Sequence, residues 1–282
     1  PNLPFDSPVL VIFHGITGGS DNEYVMNLVS KASRHSYRCL CVITRGCGGL
    51  KLTSPMLYNG GETSDARFAV DHIRKRYPLS KILAVGFSMG ANILTNYVAE
   101  EGEDCIFEAM VAVSNPLDFL ACSDNPEFTH KVSSYALSYL LKNYVSPHLD
   151  VLKHHEKFRG RDIRDILKKV RRIEDFDQEI ICPLYGYDNY RELYKDISCA
   201  KNLKNIKVPA LFINALDDII CYKECIKPSE YTNNENLIMC LTQRGAHVGY
   251  FTGWNPKQWF VEPAVDYLDA ILNIKQSMLA FQ

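Results

Sequence analysis

The sequence predicts an α/β fold with a mostly parallel sheet and helices on both faces. Six short apolar runs, rich in Val, Ile, Leu and Cys, are each closed by a turn residue or a polar residue. Runs without polar alternation are typical of strands buried on both faces, as in parallel sheets. Segments with helical spacing separate the first four runs, which indicates a sheet covered on both sides. The predicted strands are residues 9–13, 39–43, 82–85, 109–113, 210–213 and 237–241.

Three helices are predicted between the first four strands, each from apolar residues that recur at helical spacing. Each set of apolar residues is expected to face the sheet. The three sets are Tyr24, Leu28, Val29 and Ala32, then Phe68, Val70, Ile73 and Tyr77, and finally Ile93, Leu94, Tyr97 and Val98.

The strand–helix alternation stops between Asn115 and Ala200, where the sequence has helical character throughout. In residues 159–180 basic and acidic side chains alternate, which predicts a solvated helix face with charge pairs between successive turns. Strand signals return at Val208. We therefore predict one domain, residues 1–282, with a core of residues 1–116 and 201–282 and a helical cap inserted at residues 117–200.

Net charge and cysteine spacing give no sign of a nucleic-acid partner or of a zinc or redox motif. The formal net charge of −2 gives no sign of a nucleic-acid partner. No C-x-x-C pair occurs among the 10 cysteines, so no zinc ribbon or redox pair is visible. Cys221 and Cys225 could share a helix face, but we expect no histidine near them to complete a metal site. Buried thiols are expected rather than a metal site or disulfides, which favours a reducing compartment.

The stretch "AVGFSMGANI" places Ser88 between the third predicted strand and the next helix. In that position the G-x-S-x-G pattern predicts a nucleophile elbow, a sharp strained turn that exposes a serine hydroxyl at the carboxyl end of the sheet. Side chains at Gly86 and Gly90 would clash with the neighbouring strand or helix. Ser88 is therefore the predicted nucleophile.

An oxyanion hole is predicted beside Ser88. The first N–H groups of a helix lack intrahelical partners and carry partial positive charge, so the Met89 N–H would point at an oxyanion on the substrate. A second donor is expected from the loop after the first strand, residues 14–19. The backbone N–H of Ile16 is the predicted donor.

A serine nucleophile needs a base, and α/β-hydrolases order the triad as Ser, then Asp or Glu, then His. His247 lies in a small-residue loop after the last predicted strand, and it is the predicted base. Asp217 and Asp218 follow the preceding strand. We favour Asp218, because the strand must end before the acid can turn toward the histidine, and Asp217 is the alternative. The other histidines are expected to be structural or at the surface.

These segments together resemble the AB-hydrolase 4 family, which includes eukaryotic α/β-hydrolase domain proteins 1, 2 and 3 and yeast medium-chain ethyl ester synthases. The resemblance covers residues 9–274 and is weakest in the insertion. It implies an α/β-hydrolase fold, the triad Ser88, Asp218 and His247, and lipid-like or short-to-medium acyl esters as substrates. The segments are "HGITGGS", "YRCLCVITRGCGG", "AVGFSMGANIL", "VPALFINALDD" and "GAHVGYF".

Members of this family carry further strands, and often a membrane anchor, before the first strand predicted here. Because the chain starts at Pro1, shortly before that strand, we expect it to lack those amino-terminal strands. Membrane association through such a missing amino-terminal segment is left open. The expected location is intracellular, either cytoplasmic or membrane-associated.

The predicted function is a serine hydrolase that cleaves short-to-medium-chain or lipid-like carboxylic esters, namely acylglycerols, phospholipids or simple esters, through an acyl-enzyme. Five residues of the insertion either cap an acyl pocket or simply pack their helix: Tyr135, Leu137, Tyr139, Leu140 and Leu141. No metal and no organic cofactor is implied, and the partner is a small-molecule or lipid ester substrate. One alternative is acyl transfer to an alcohol with the same triad. Another alternative is a non-catalytic scaffold that has kept the fold.

Overall fold

The computed structural model describes residues 3–125, 128–231 and 233–280, and Pro1 lies outside the described residues. All six predicted strands are present, and their ends differ from the predicted ones by at most two residues. A short antiparallel pair follows them. The strands are β1 (Val9–Phe13), β2 (Arg38–Val42), β3 (Ile82–Phe87), β4 (Phe107–Val113), β5 (Ala210–Ala215), β6 (Leu237–Thr242), β7 (Phe251–Thr252) and β8 (Lys257–Gln258).

The six long strands form one sheet in the order β2-β1-β3-β4-β5-β6, and every neighbouring pair is parallel. The central strands β1, β3 and β5 are buried along their whole length, whereas the edge strands β2 and β6 are partly exposed. The strand order reverses between β1 and β3. In open parallel sheets the crevice at the carboxyl ends of such a pair is where ligands bind.

Helices cover both faces of the sheet, and a further set lies between β4 and β5. The helices are α1 (Glu23–Arg34), α2 (Ser64–Arg76), α3 (Met89–Glu101), α4 (Phe119–Ser123), α5 (Phe128–Val145), α6 (Leu149–Leu152), α7 (Ile163–Lys169), α8 (Ile173–Phe176), α9 (Cys182–Tyr185), α10 (Tyr190–Ile197), α11 (Pro228–Tyr231) and α12 (Val261–Ala280). A π-helical segment, Asp177–Ile181, joins α8 to α9. Of the described helices, none is long and apolar enough to cross a membrane.

Two apolar cores result, one on each face of the sheet. Helices α1 and α12 pack on one face, and α2 and α3 pack on the other. Successive residues of β1 alternate between them: Val9 and Val11 belong to the α2/α3 core, and Leu10 belongs to the α1/α12 core. The α2/α3 core continues into α5, α8 and α10. The helices between β4 and β5 therefore share that core, while the cap boundaries at residues 117 and 200 stay a prediction.

Two of the predicted helix faces need correction. Phe68 is 76% exposed, because α2 packs on the sheet through Ala66, Val70 and Ile73, which lie on the opposite side of the helix. Helix α3 is buried on all sides rather than on one face, because the sheet, α2 and the segment Ala200–Asn205 surround it. A helix that is buried all round is apolar on every side, so the four residues of the predicted face cover only part of the buried surface of α3.

The expectation that no cysteine forms a disulfide is wrong for one pair. Cys122 at the end of α4 is bonded to Cys225, which ends a short 3₁₀ turn after β5. The two are 103 residues apart in sequence, so only the fold brings them together. The other eight cysteines are free thiols. The disulfide links α4 to the loop that follows β5. The expectation of a reducing compartment depended on free thiols alone, so this disulfide takes away its basis.

Helix α3 approaches β1 so closely that only glycine fits at the contact. A Cβ on Gly90 would lie 2.2 Å from the carbonyl oxygen of His14 and 2.5 Å from that of Phe13. A Cβ on Gly86 would lie 2.6 Å from the Cα of Ala91. All of these neighbours are backbone atoms, which cannot turn aside as a flexible side chain does. The predicted steric role of both glycines is confirmed.

Gly90→Ala is expected to lower the free energy of unfolding by about 3 kcal/mol or more, because α3 must move away from β1. Gly160→Ala is the control: its Cβ would meet nothing within 4 Å, but φ is +77°. That variant should lose only the backbone cost of about 1–2 kcal/mol. Chemical denaturation measures both, and equal losses would contradict the steric explanation.

Candidate active site

Ser88 occupies the turn between β3 and α3 in a strained conformation, with φ 52° and ψ −122°. A non-glycine residue in this region costs energy and persists only where the surrounding structure holds it. Its N–H donates to the carbonyl of Val113 at 2.9 Å, which ties the turn to the neighbouring strand β4. The side chain is 7% exposed and lines a cavity. The predicted sharp turn is therefore present.

The structure brings together the three side chains expected to form the triad. Nε2 of His247 lies 2.8 Å from Oγ of Ser88, and Nδ1 lies 2.9 Å from Oδ2 of Asp218. These distances are within the range of hydrogen bonds, so one continuous chain of contacts joins the alcohol, the imidazole and the carboxylate. The three residues are far apart in sequence: Ser88 follows β3, Asp218 follows β5 and His247 follows β6.

Asp218 is 2% exposed, yet its charge is well compensated. Burial pushes the pKa of its carboxyl upward, but His247 and the N–H groups of Ile220 and Cys221 pull it further down, so that the pKa lies below its usual value. The two N–H groups donate to Oδ1 at 2.8 and 2.9 Å, which leaves Oδ2 to contact the histidine. The carboxylate is thus ionised and fixed in orientation, as a residue that stabilises an imidazolium must be.

Asp217 has a different task from its neighbour. Its Oδ1 accepts hydrogen bonds from the N–H groups of Gly245 and Ala246, both at 2.8 Å, and it makes no contact with the His247 ring among those found for the described residues. Ala246, immediately before the histidine, has φ +50°. Asp217 therefore holds the backbone of the histidine loop, while Asp218 holds the ring.

The two predicted oxyanion donors belong to the loop after β1 and to the first position of α3. Ile16 and Met89 both line the cavity that contains Ser88. Neither N–H has a hydrogen-bond acceptor within residues 3–125, 128–231 and 233–280, although the N–H groups on both sides of Ile16 do. Gly15 donates to the Tyr24 hydroxyl at 3.0 Å, and Thr17 donates to the Tyr58 hydroxyl at 2.8 Å.

His14 supports the same loop from inside the protein. The ring is buried, and burial lowers the pKa of the imidazole below its usual value. Its Nδ1 contacts the Gly15 carbonyl at 2.7 Å, and its Nε2 accepts from the Thr44 N–H at 3.2 Å. His14 is thus a structural histidine, as the sequence predicts, and it fixes the loop that carries the Ile16 N–H.

Three further residues support the site, and no sequence motif had marked them as part of it. Ser114 at the end of β4 has φ +50°, and its hydroxyl accepts from the N–H of Val248, next to the catalytic candidate His247. The Cys221 thiol donates to the Ser114 carbonyl at 3.0 Å, and the Tyr250 hydroxyl donates to the Ile213 carbonyl at 3.2 Å. A G-x-S-x-G search cannot detect such residues, because they act through backbone contacts of the histidine loop.

The expectation that no histidine lies near Cys221 and Cys225 is also wrong. Sγ of Cys221 lies 3.7 Å from Nδ1 of His247, because the loops after β5 and β6 meet at the edge of the sheet. Among the described residues, ligand atoms of Asp218, Cys221 and His247 lie within 4.8 Å of one another and could hold a metal ion. Burial raises the pKa of the Cys221 thiol well above its usual value, so a neutral thiol, a poor metal ligand, is favoured there.

A mainly apolar cavity, part of it open to solvent, contains Ser88 in its wall. Leu137 of α5 lines it, and Leu141 lines a second cavity behind it, as expected for residues that cap an acyl pocket. Tyr135, Tyr139 and Leu140 were candidates for the same role, but they are exposed on the outer side of α5. The wall of the first cavity consists of Ile16, Ser88, Met89, Pro116, Phe119, Cys122, Ser123, Ser133, Ser134, Leu137, Ile173, Glu174, Tyr194 and Ile220.

A parallel sheet with a strained serine at its switch point, a histidine and a buried aspartate defines the α/β-hydrolase class. Residues 8–253 match the family model described as the alpha/beta hydrolase fold, and the chain therefore belongs to that family. Solved structures agree on the fold. The Pyrococcus furiosus esterase Pf2001 has a TM-score of 0.59 at 19% identity, covering 95% of this chain and 82% of that chain.

Sequence relatives confirm the resemblance to the AB-hydrolase 4 family. The chain is 34% identical to "Monoacylglycerol lipase" of Saccharomyces cerevisiae over 274 residues, which is 95% of this chain and 61% of that protein. It is 29% identical to "Phospholipase ABHD3" of Homo sapiens, covering 89% of this chain and 60% of that protein. It is 30% identical to "Putative esterase YheT" of Escherichia coli, covering 95% of this chain and 78% of that protein. The chain thus spans about three fifths of the length of the yeast and human proteins.

Asp218→Asn should slow labelling of Ser88 by a fluorophosphonate about ten-thousandfold, because the amide no longer stabilises the imidazolium. Asp217→Ala should slow it less, by at most about a hundredfold, because only the position of the loop is disturbed. Asp188→Asn, on the exposed surface, is the control and should react like the wild type. If Asp217→Ala is the slower variant, the two roles are reversed.

The lowered pKa of Asp218 predicts an acid-dependent contribution to stability. A carboxyl whose pKa is lower in the folded protein stabilises the fold above its unfolded pKa of about 3.9, and this stabilisation is lost as pH falls through the folded pKa. The difference in unfolding free energy between wild type and Asp218→Asn should therefore shrink from about pH 5 to pH 3. Denaturation at graded pH measures it, and a difference that grows on acidification would refute the assignment.

Proposed function

We propose that the protein is a serine carboxylesterase of the lipase type that cleaves acyl esters through a Ser88, His247 and Asp218 triad. The observation that carries this proposal is the unbroken hydrogen-bonded chain of 2.8 and 2.9 Å beside a mainly apolar cavity. The printed names of the relatives, a monoacylglycerol lipase, a phospholipase and an esterase, support the same class of substrate.

The first half of the reaction forms an acyl-enzyme. Nε2 of His247 takes the Ser88 proton as Oγ attacks the ester carbonyl carbon, and the carbonyl oxygen becomes an oxyanion. The N–H groups of Ile16 and Met89 donate to that oxyanion, while Asp218 stabilises the imidazolium. The imidazolium then gives its proton to the leaving alcohol, and the bond from the carbonyl carbon to the alkoxy oxygen breaks.

The second half releases the acid. Water gives a proton to His247 and attacks the acyl carbon, and the Ser88 oxygen leaves with that proton. A small alcohol in place of water would give acyl transfer by the same steps. The strained turn at Ser88 supports this cycle, because it fixes Oγ of Ser88 relative to the N–H of Met89, the next residue and the first of α3.

Ser88→Ala is expected to lower ester turnover by about a millionfold, because a nucleophile cannot be replaced by the remaining groups. The matched control is Ser80→Ala, a buried serine at the opposite end of β3, which should retain full activity. Purified protein would be assayed on 4-nitrophenyl esters from acetate to long chains, with and without ethanol.

Ethanol separates the two possible acceptors, since an ethyl ester product indicates acyl transfer and free acid indicates hydrolysis. Turnover that persists in Ser88→Ala would contradict the proposed mechanism. A wild-type protein that neither cleaves any ester nor reacts with a fluorophosphonate would be a scaffold.

A further inference from the structure

Helix α5 has two sides, and both are largely apolar. One side forms part of the wall of the cavity that contains Ser88, through Ser133, Ser134 and Leu137. The other side is exposed, although it carries several large apolar side chains. Single apolar residues are common on protein surfaces, whereas a continuous group of them marks a surface that binds a partner.

The exposed side of α5, here called the outer stripe, consists of Val132, Tyr135, Ala136, Tyr139 and Leu140. The four larger side chains are each between 45% and 60% exposed, and Ala136 is exposed as well. Residues three, four and seven positions apart lie on the same side of an α-helix. The five side chains therefore form one unbroken apolar strip along the helix.

The outer stripe lies close to the candidate active site. The carbonyl of Ile219 accepts from the Ser133 hydroxyl at 3.1 Å, which places Ile219 beside α5, and its side chain is 45% exposed. The residue before it is Asp218, and the residue after it, Ile220, lines the cavity that contains Ser88. Only the width of one helix, roughly 10 Å, separates a molecule on the outer stripe from that cavity.

The charges that border the outer stripe are positive. Lys131 and Lys142 lie at its two ends, and α5 contains no aspartate or glutamate. The Ser138 hydroxyl donates to the carbonyl of Arg171 at 3.0 Å, which brings a third, exposed cation beside α5. Within the described ranges, none of these three cations pairs with a carboxylate. An apolar strip bordered by unpaired cations is complementary to a lipid surface with anionic head groups.

A second copy of this chain fits the outer stripe less well. In a two-fold symmetric dimer the same surface of both copies would meet, so Lys131 and Lys142 of each copy would gather without a carboxylate from α5. An anionic lipid surface supplies that negative charge. It also suits Tyr135 and Tyr139, because a tyrosine ring enters the apolar layer while its hydroxyl stays at the level of the head groups.

We propose that the outer stripe, together with Ile219 and the three bordering cations, docks the protein on a lipid surface that carries anionic head groups. Docking places α5, one wall of the cavity that contains Ser88, against the lipid. This inference goes beyond the proposed function, because docking requires no turnover and is measured without it.

The test measures sedimentation with vesicles of ether-linked lipids, which have no carboxylic ester to cleave. The vesicles contain phosphatidylcholine, alone or mixed equally with phosphatidylserine, and wild type should bind the mixed vesicles more tightly. Tyr135→Ser combined with Tyr139→Ser should weaken that binding about tenfold or more, because two aromatic anchors are lost. Lys131→Gln combined with Lys142→Gln should weaken it about fivefold for each lysine and reduce the preference for phosphatidylserine.

Phe68→Ser and Lys75→Gln, both on α2, are the matched controls. Phe68 is 76% exposed, and Lys75 is exposed and has no ion pair within the part of the chain that the structure describes. Both controls should bind vesicles like wild type. Turnover of 4-nitrophenyl acetate, a soluble ester, should be unchanged in every variant, which shows that each one is folded.

A wild type that does not bind the mixed vesicles would overturn the docking surface and leave the proposed function intact. Equal weakening by Phe68→Ser would also overturn it. A dimer in light scattering that the two tyrosine substitutions dissociate would assign the outer stripe to a second copy instead. The lysine variants decide the matter if the tyrosine variant does not fold. Vesicle binding by a wild type that cleaves no ester would support docking and overturn only the proposed function.

Discussion

The close approach of α3 to the end of β1 is the contact on which the rest of the site depends. Because Gly90 has no side chain, the first turn of α3 rests directly on the carbonyl groups of Phe13 and His14. This placement forces the chain at Ser88 into its strained turn and puts the Met89 N–H beside the loop that follows β1. One steric condition thus sets the positions of Ser88, the proposed nucleophile, and of both candidate oxyanion donors.

The loop that carries His247 is held in a different way, because no helix begins there and its position depends on contacts with other loops. Ala246 and Val248 flank His247, and both have positive φ, so the loop stores strain that its neighbours must offset. Asp217 contributes two backbone hydrogen bonds, and Ser114 contributes one from the next strand. Adjacent aspartates therefore serve one histidine in two ways: Asp217 fixes its backbone, and Asp218 fixes the orientation of its ring.

Sequence alone was sufficient wherever a feature is local. The six strands are continuous apolar runs, and Ser88, Asp218 and His247 each follow such a run at the same edge of the sheet. Features that depend on distant segments were not predictable. The Cys122–Cys225 disulfide and the contact between Cys221 and His247 join residues whose distance is set by the fold. On α5, spacing could not decide which side faces the cavity and which faces solvent.

Glu174 shows why a charged segment can mislead. Its neighbours Asp165 and Lys168 form the exposed ion pair expected of an alternating pattern. Glu174 differs because α8 begins where α5 passes, so that Ser134 satisfies the Ile173 N–H and the Glu174 carboxylate together. A buried carboxylate is costly unless hydrogen bonds compensate it, and an apolar residue there would avoid that cost. Here the hydroxyls of Ser134 and Ser123 contribute that compensation, so contacts between neighbouring helices account for a buried carboxylate within this charged segment.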